Sequence, residues 1–221
     1  MTYKIYLFRH GQTTYNRDKI FTGWKDAKLT SKGIKQAKVI AKKLKNKKFQ
    51  TAFQTKLSRS KDTLKYVLKY HPECKKIITD NRMIERNYGD LNGTSHKQFI
   101  KNIGKKAVNL RIQGDAIENL SPRMRKKVER FLGEHEYHII HRGWDNPPPG
   151  GESFKMVEER VKPFVKWLKS YMKKNKVSVA ISAHGNSIRL FRKIVEKTSI
   201  PETVKWVIPY DKVFEYDVDE L

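Results

Sequence analysis

Cysteine is nearly absent from this sequence, acidic side chains are scarce, and long apolar runs are missing. The one cysteine, Cys74, excludes an internal disulfide and any metal cluster built on several cysteines. No stretch approaches the roughly 20 apolar residues that a membrane-crossing helix needs. The N-terminal Met1-Thr2-Tyr3-Lys4 runs directly into strand-like sequence, without the apolar core of a secretory signal. These absences predict a cytoplasmic protein outside the membrane. Only 23 Asp and Glu stand against 48 Lys and Arg, a net charge of +25. Such a surplus suits an acidic partner, whether nucleic acid, an anionic surface or phosphorylated small molecules; equally, it can be a lysine-rich solvated surface. Internal repeats and low-complexity tracts are also missing.

The 221 residues, 38% of them hydrophobic, suffice for one α/β domain with an elaboration and a sizeable core. Residues 3–8 (YKIYLF) read as a strand ending at Arg9-His10-Gly11, where the glycine permits a sharp turn. Residues 12–29 are polar and read as a loop. Thr30 or Ser31 caps a helix whose apolar stripe is Ile34, Ala37, Ile40, Ala41 and Leu44. A strand at 49–54, a helix from Leu57-Ser58 and a short strand at 76–79 follow. Residues 95–146 are basic and helical in pieces, with Ser121-Pro122 and RMRKK at 123–127. Pro147-Pro148-Pro149-Gly150-Gly151 is a break. Beyond it lies a long helix in which Pro163 predicts a kink, then the continuous apolar strand 177–183 (VSVAISA), then a helix at 187–198. Alternating strands and helices predict a three-layer α/β/α fold with a mainly parallel sheet, as a single domain over 1–221 with a basic lid region inserted at about 95–146.

Two predicted strands end in His-Gly pairs, Arg9-His10-Gly11 and His184-Gly185. Ligand sites of open α/β sheets form beyond the carboxyl ends of the strands, so both imidazoles can face one pocket. A guanidinium next to histidine can hold a phosphate through paired charge-assisted bonds. A neutral imidazole is then a competent nucleophile toward phosphorus near neutral pH. His135, His138 and His141 lie close together, but no cysteine or paired carboxylate completes a metal site, so they read as surface or lid residues. Trp24 and Trp144 read as packing or lid residues, and Cys74 as inert.

YLFRHGQTTYN at 6–16 resembles the signature of the histidine phosphatase superfamily. TGWKDAKLTSKGIKQA (22–37), LSRSKDT (57–63), ERNYGDLNG (85–93), PPPGGES (147–153) and AHGNSIR (183–189) are similar, in family order, to the cofactor-dependent phosphoglycerate mutase branch. That resemblance implies a phosphoglycerate mutase-like fold and interconversion of 3-phosphoglycerate and 2-phosphoglycerate through a phosphohistidine, primed by 2,3-bisphosphoglycerate and without a metal. It implies His10 as nucleophile; Arg9, Arg59 and His184 around the phosphoryl group, with Asn16, Gly185 and Asn186 adding contacts; and Glu85 as general acid and base. Thr22 and Gly23 would meet the substrate carboxylate, and Arg86, Tyr88 and Arg142 the carboxylate or distal phosphate. The partner is a small phosphorylated substrate. A homo-oligomer is compatible with the family, and nucleic acid would bind only non-specifically.

The chain departs from the branch in four places. His96 stands where lysine is usual, with Lys97 adjacent as a substitute. Ile140-His141-Arg142 replaces a paired arginine. Residues 104–138 form an enlarged lid. The ending IPYDKVFEYDVDEL lacks a further tail that covers the pocket, which would leave the phosphohistidine open to water. The altered cations and the shorter tail keep an alternative alive: a histidine-type phosphatase acting on small phosphorylated substrates.

Overall fold

The computed structural model describes residues 2–112 and 120–221. Part of the expected enlarged lid, residues 113–119, lies outside the described residues. In chain order the elements are β1 (Lys4–Arg9), α1 (Thr14–Arg17), α2 (Ser31–Leu44), β2 (Thr51–Gln54), α3 (Ser58–Leu68), β3 (Lys76–Thr79), α4 (His96–Ile112), α5 (Pro122–Arg142), α6 (Phe154–Asn175), β4 (Val179–Ala183), α7 (Gly185–Glu196), α8 (Ile200–Thr203) and β5 (Val213–Asp217). Residues 12–29, expected as loop, contain the α1 turn, because the Thr13 hydroxyl and the Asn16 side chain cap it reciprocally.

The five strands form one sheet in the order β3-β2-β4-β1-β5. The first four are parallel and β5 runs antiparallel to β1 at the edge. Strand alternation sorts the core into two layers. Ile5 and Leu7 of β1 join Val179, Ile181 and Ala183 of β4 against α6 and α7, with Phe154, Val161, Leu168 and Phe191 fully enclosed. Tyr6, Phe8, Ala52 and Ala180 face the other way, onto Ile40, Leu44, Leu64 and Val67 of α2 and α3. The three-layer α/β/α arrangement expected from the sequence is therefore present. Every residue of β4 is buried, as its unbroken apolar run requires of a central strand covered on both faces. Each large apolar side chain so enclosed contributes about 1.5–3 kcal/mol relative to exposure.

Local signals explain the helix limits. Thr30 accepts the Gly33 N–H at the start of α2, and Ser153 accepts the Met156 N–H at the start of α6. Helix α6 runs unbroken through Pro163 to Asn175. Gly11 serves a purpose other than the turn expected of it. An added Cβ would stand 2.2 Å from the Gly33 carbonyl oxygen, so the glycine lets the loop after β1 and the first turn of α2 touch backbone to backbone.

Helices α4 and α5 form a hairpin over the carboxyl edge of the sheet. It docks through a third apolar cluster, Phe21, Tyr88 and Phe99, joined by Ile100, Ile103, Tyr137 and Ile140. Among the described residues no helix is long and apolar enough to cross a membrane.

Candidate active site

The pairing register brings the histidines together. β1 and β4 are parallel neighbours with Arg9 opposite Ala183, and the His10 N–H donates to the Ala183 carbonyl over 3.1 Å. Adjacent strands are about 4.8 Å apart, so the next residue of each strand must place its ring beside the other. The ring centroids of His10 and His184 are 5.0 Å apart. β2 flanks β4 on the other side, and the residue after it, Thr55, places its hydroxyl 2.8 Å from His184 Nε2. Three neighbouring strand ends thus supply Thr55, His184 and His10 in a row.

His10 and His184 are almost completely enclosed. Burial, reinforced by Arg59, holds both rings well below the ordinary histidine range, so both are neutral near pH 7. His10 Nδ1 lies 2.7 Å from the Gly11 carbonyl oxygen. A carbonyl only accepts, so Nδ1 carries the proton and donates, and Nε2 keeps a free lone pair.

Two arginines approach the same point. Arg59 is 1% exposed and donates to the carbonyls of Lys25 (2.9 Å) and Gly23 (2.8 Å), which ties it to the 23–25 turn. Burial lowers its pKa to about 10, leaving it charged at neutral pH. Arg9 donates Nη1 to the Ile208 carbonyl and lies over the Tyr210 ring at 4.0 Å. Its buried Nε has no protein partner among the described residues.

The Glu85 carboxylate is fixed by one oxygen. Oε1 accepts the backbone N–H of Arg86 (2.8 Å) and of Asn186 (3.1 Å), which leaves Oε2 for a proton. The Glu85 carbonyl in turn accepts from Trp24 Nε1 (2.7 Å) and Arg160 Nη2 (3.1 Å). Arg160 is ion-paired with Glu152, which also accepts the Asn87 N–H. The proline-glycine break thus leads into a brace that holds the Glu85 segment from behind. Ligand atoms of His10, Glu85 and His184 all lie within 4.8 Å of one another. That spacing could admit a metal ion, but the adjacent guanidinium groups of Arg9 and Arg59 repel a cation and attract an anion.

The cavity at this point has a volume of about 190 Å³. Of the residues expected to bind substrate, Asn16, Thr22, Gly23, Tyr88, His96, Arg142, Gly185 and Asn186 line it, together with Arg9, His10, Arg59 and Glu85. Asn16 Oδ1 accepts from the Thr13 N–H and hydroxyl, so its amide NH₂ is free to donate. His184 is not among the lining residues; its ring lies 5.0 Å from that of His10. Two expected residues stand elsewhere. Arg86 is fully buried behind the wall, between the Tyr88 and Phe154 rings, and donates to the Ile140 carbonyl. Lys97 is exposed on the outer side of α4 and faces a different groove.

The structure adds lining residues that the sequence did not single out. Arg189, one turn beyond the AHGNS segment, is almost fully buried and held by Asn186 Oδ1 and the Trp206 carbonyl. Its helical spacing from Gly185 was the available signal. His141, expected as a surface or lid residue, is a lid residue that walls the cavity, stacked on Tyr137 at 5.0 Å. Burial, with Arg86 next in effect, lowers its pKa to about 3. His96 falls to about 4, again chiefly through burial. Neither imidazole supplies the positive charge of the lysine or arginine usual at these places.

One segment lines up the cations. The carbonyls of Val204 and Trp206 accept from Arg142, that of Trp206 from Arg189, and that of Ile208 from Arg9. Carbonyls of the segment that leaves α8, from Val204 to Ile208, therefore tether three guanidinium groups, from the lid to the histidine pair.

Residues 5–141 and 122–220 match the sequence profile of the Histidine phosphatase superfamily (branch 1). The chain belongs to that superfamily. As a histidine phosphatase superfamily enzyme it is 32% identical to the 2,3-bisphosphoglycerate-dependent phosphoglycerate mutase of Parvibaculum lavamentivorans, covering 98% of this chain and 90% of the relative. It is 34% identical to the protein of the same name from Mesorhizobium japonicum, over 93% of this chain and 87% of the relative. Solved structures of the same fold include phosphoglycerate mutase from Bacillus anthracis, with TM-score 0.66, 20% identity and coverage of 97% and 87%. Mycobacterial glucosyl-3-phosphoglycerate phosphatase gives TM-score 0.69, 20% identity and coverage of 97% of both chains. The superfamily fold thus carries both a mutase and a phosphatase.

Proposed function

We propose that this enzyme interconverts 3-phosphoglycerate and 2-phosphoglycerate through phosphorylated His10. The observation that carries this is the arginine row on the 204–208 carbonyls. A ligand with one phosphoryl group at His10 and a second anionic group farther out matches cations at both ends, whereas release of a lone phosphate needs only the inner pair. The names of the curated relatives support the same substrate and a dependence on 2,3-bisphosphoglycerate. The buried Arg9 Nε, Arg189 Nε and His184 Nδ1, which have no protein partner among the described residues, fit a bisphosphate. That compound supplies the phosphoryl group that primes the enzyme.

His10 Nε2 attacks phosphorus in line with the leaving oxygen. The P–N bond forms, the P–O bond breaks, and the leaving oxygen takes a proton from Glu85 Oε2. Arg9, Arg59 and His184 neutralise charge spread over the three equatorial oxygens. In the return step, Glu85 removes the proton from the free hydroxyl of a bound monophosphoglycerate, and that oxygen takes the phosphoryl group from His10. The 2,3-bisphosphoglycerate so formed gives its other phosphoryl group back to His10, with Glu85 protonating the leaving oxygen, and departs as the isomer. Enclosure by the α4–α5 hairpin keeps water from intercepting the phosphohistidine.

Hydrolysis by the same intermediate is the second possibility, and the neutral His96 and His141 favour it by weakening the hold on the outer anion. One assay separates the two. Both phosphoglycerates are supplied with and without 2,3-bisphosphoglycerate, and isomer exchange is followed against free phosphate. Exchange that is stimulated by the bisphosphate and exceeds phosphate release is expected, with an acid-labile phosphate on wild type but not on His10→Ala. Phosphate release without exchange would leave a phosphatase.

A further inference from the structure

We propose that the groove between α4 and α5 is a second anion site, for a small molecule carrying two or more phosphate groups, set against the catalytic cavity across His96, which lines both spaces.

The groove has a volume of about 700 Å³, far more than the catalytic cavity. Lys97 and Lys101 line it from α4, Lys126 and Arg130 from α5, and Lys19 from the loop beneath. Its two carboxylates are already neutralised: Glu129 by Arg125 and Glu134 by Arg130. The four lysines enter no ion pair among the described residues. Gathered around one groove, they favour an anionic ligand over a cationic one. Lys97 and Lys101 are four residues apart, as are Lys126 and Arg130, so each pair spans about 6 Å along its helix. With Arg130 held by Glu134, the lysines Lys97, Lys101 and Lys126 are the cations that face a compact phosphorylated ligand.

The hairpin holds these pairs at a fixed separation. A Cβ on Gly104 would stand 1.9 Å from the Glu129 carbonyl oxygen, and one on Gly133 2.0 Å from that of Ile100. The helices therefore touch backbone to backbone at two levels, leaving little freedom to splay. A groove of this volume lies within the range of small-molecule sites. It is backed by Ile100 and Tyr137 rather than opening as a continuous basic stripe, which a nucleic-acid strand would need.

His96 lines both spaces, and its Nδ1 is 3.0 Å from the Tyr137 hydroxyl. A ligand in the groove thus meets the same wall as the substrate. Its occupancy alters substrate affinity more than the chemical step, because neither wall residue touches the His10–Glu85 centre among the described contacts.

Inorganic tripolyphosphate, titrated calorimetrically into the full chain, tests the proposal. Wild type should take up two equivalents, one in each space. Lys101→Gln combined with Lys126→Gln should weaken one of the two by about tenfold or more, the loss of charge-assisted contacts, and leave the other unchanged. Both lysines are exposed, and an unaltered circular dichroism spectrum and unaltered basal activity identify a folded double variant. The control pair Lys162→Gln with Lys166→Gln, on the exposed face of α6, should leave both equivalents unchanged. A single equivalent on wild type, or equal weakening in the control pair, would overturn the site. A single-stranded RNA oligonucleotide that binds the groove more tightly than tripolyphosphate, and loses that binding in the same double variant, would overturn the small-molecule assignment.

Discussion

The Thr55 hydroxyl lies 2.8 Å from Nε2 of His184, while the N–H of Leu57 donates to the same oxygen. Held in this way by the Leu57 N–H, the hydroxyl hydrogen-bonds the imidazole and fixes the ring beside His10. Thr55→Val keeps the shape and removes this bond. We predict a fall in kcat of about tenfold, the effect of a misplaced charge-stabilising group, with KM little changed. Steady-state kinetics on the folded variant check it. An unchanged kcat would show that His184 needs no such support.

Glu85 is positioned by the backbone amides of Arg86 and Asn186 and, from behind, by Arg160. Replacing Glu85 by Gln should lower kcat by about 10²-fold or more, since proton transfer is lost while the Arg86 and Asn186 amides can still hold the side chain. Arg160→Met should lower kcat less, because it loosens only the backbone behind Glu85. Near-normal turnover in Glu85→Gln would remove Glu85 from the mechanism.

Acid should unfold this protein through its histidines. The folded pKa values of His10 and His184 are depressed, and that of His141 is about 3, whereas the unfolded rings titrate near 6.5. Below pH ~6.5 the unfolded chain therefore binds more protons than the folded one. Stability is constant above that pH on this account and falls below it, by about 1.4 kcal/mol per pH unit for each fully buried ring. Urea unfolding at pH 7.5 and 5.5 should show the loss, and His141→Asn should make the slope shallower by about one proton. Equal slopes would mean that His141 is not held neutral.

His141 is a neutral group beside Arg86, Arg142 and Arg189. His141→Arg should lower KM for phosphoglycerate several-fold by adding a cation at the outer end of the cavity. The same change should reduce Tm, because a fourth buried guanidinium meets three of like charge. A raised KM would place the outer anion elsewhere.

Strand and helix positions were legible in the sequence because each is set by local periodicity. The apolar run 177–183 could only be a covered central strand, and Thr30 and Ser153 mark helix starts whatever surrounds them. His10 and His184 could be named because each follows a strand in a His-Gly pair, and Glu85 because its segment resembles that of the family. Arg189, His141, Thr55 and Arg160 were not legible in the same way. Each acts through a partner distant in sequence, such as the Trp206 carbonyl, the Tyr137 ring, the His184 imidazole or the Glu85 backbone. Nothing in their own neighbourhoods signals those partners.

Sequence alone determined the order of elements, the two covered faces of the sheet and the identity of the groups that can carry a phosphate. Tertiary structure decided which of them meet. The parallel register of β1 with β4 sets the two imidazoles side by side, and three backbone carbonyls set the order of the arginines. Packing also turned Arg86 into a tether, left Lys97 outside the cavity and made His96 and His141 neutral. Burial and strand pairing are properties of the folded chain, and no single segment carries them.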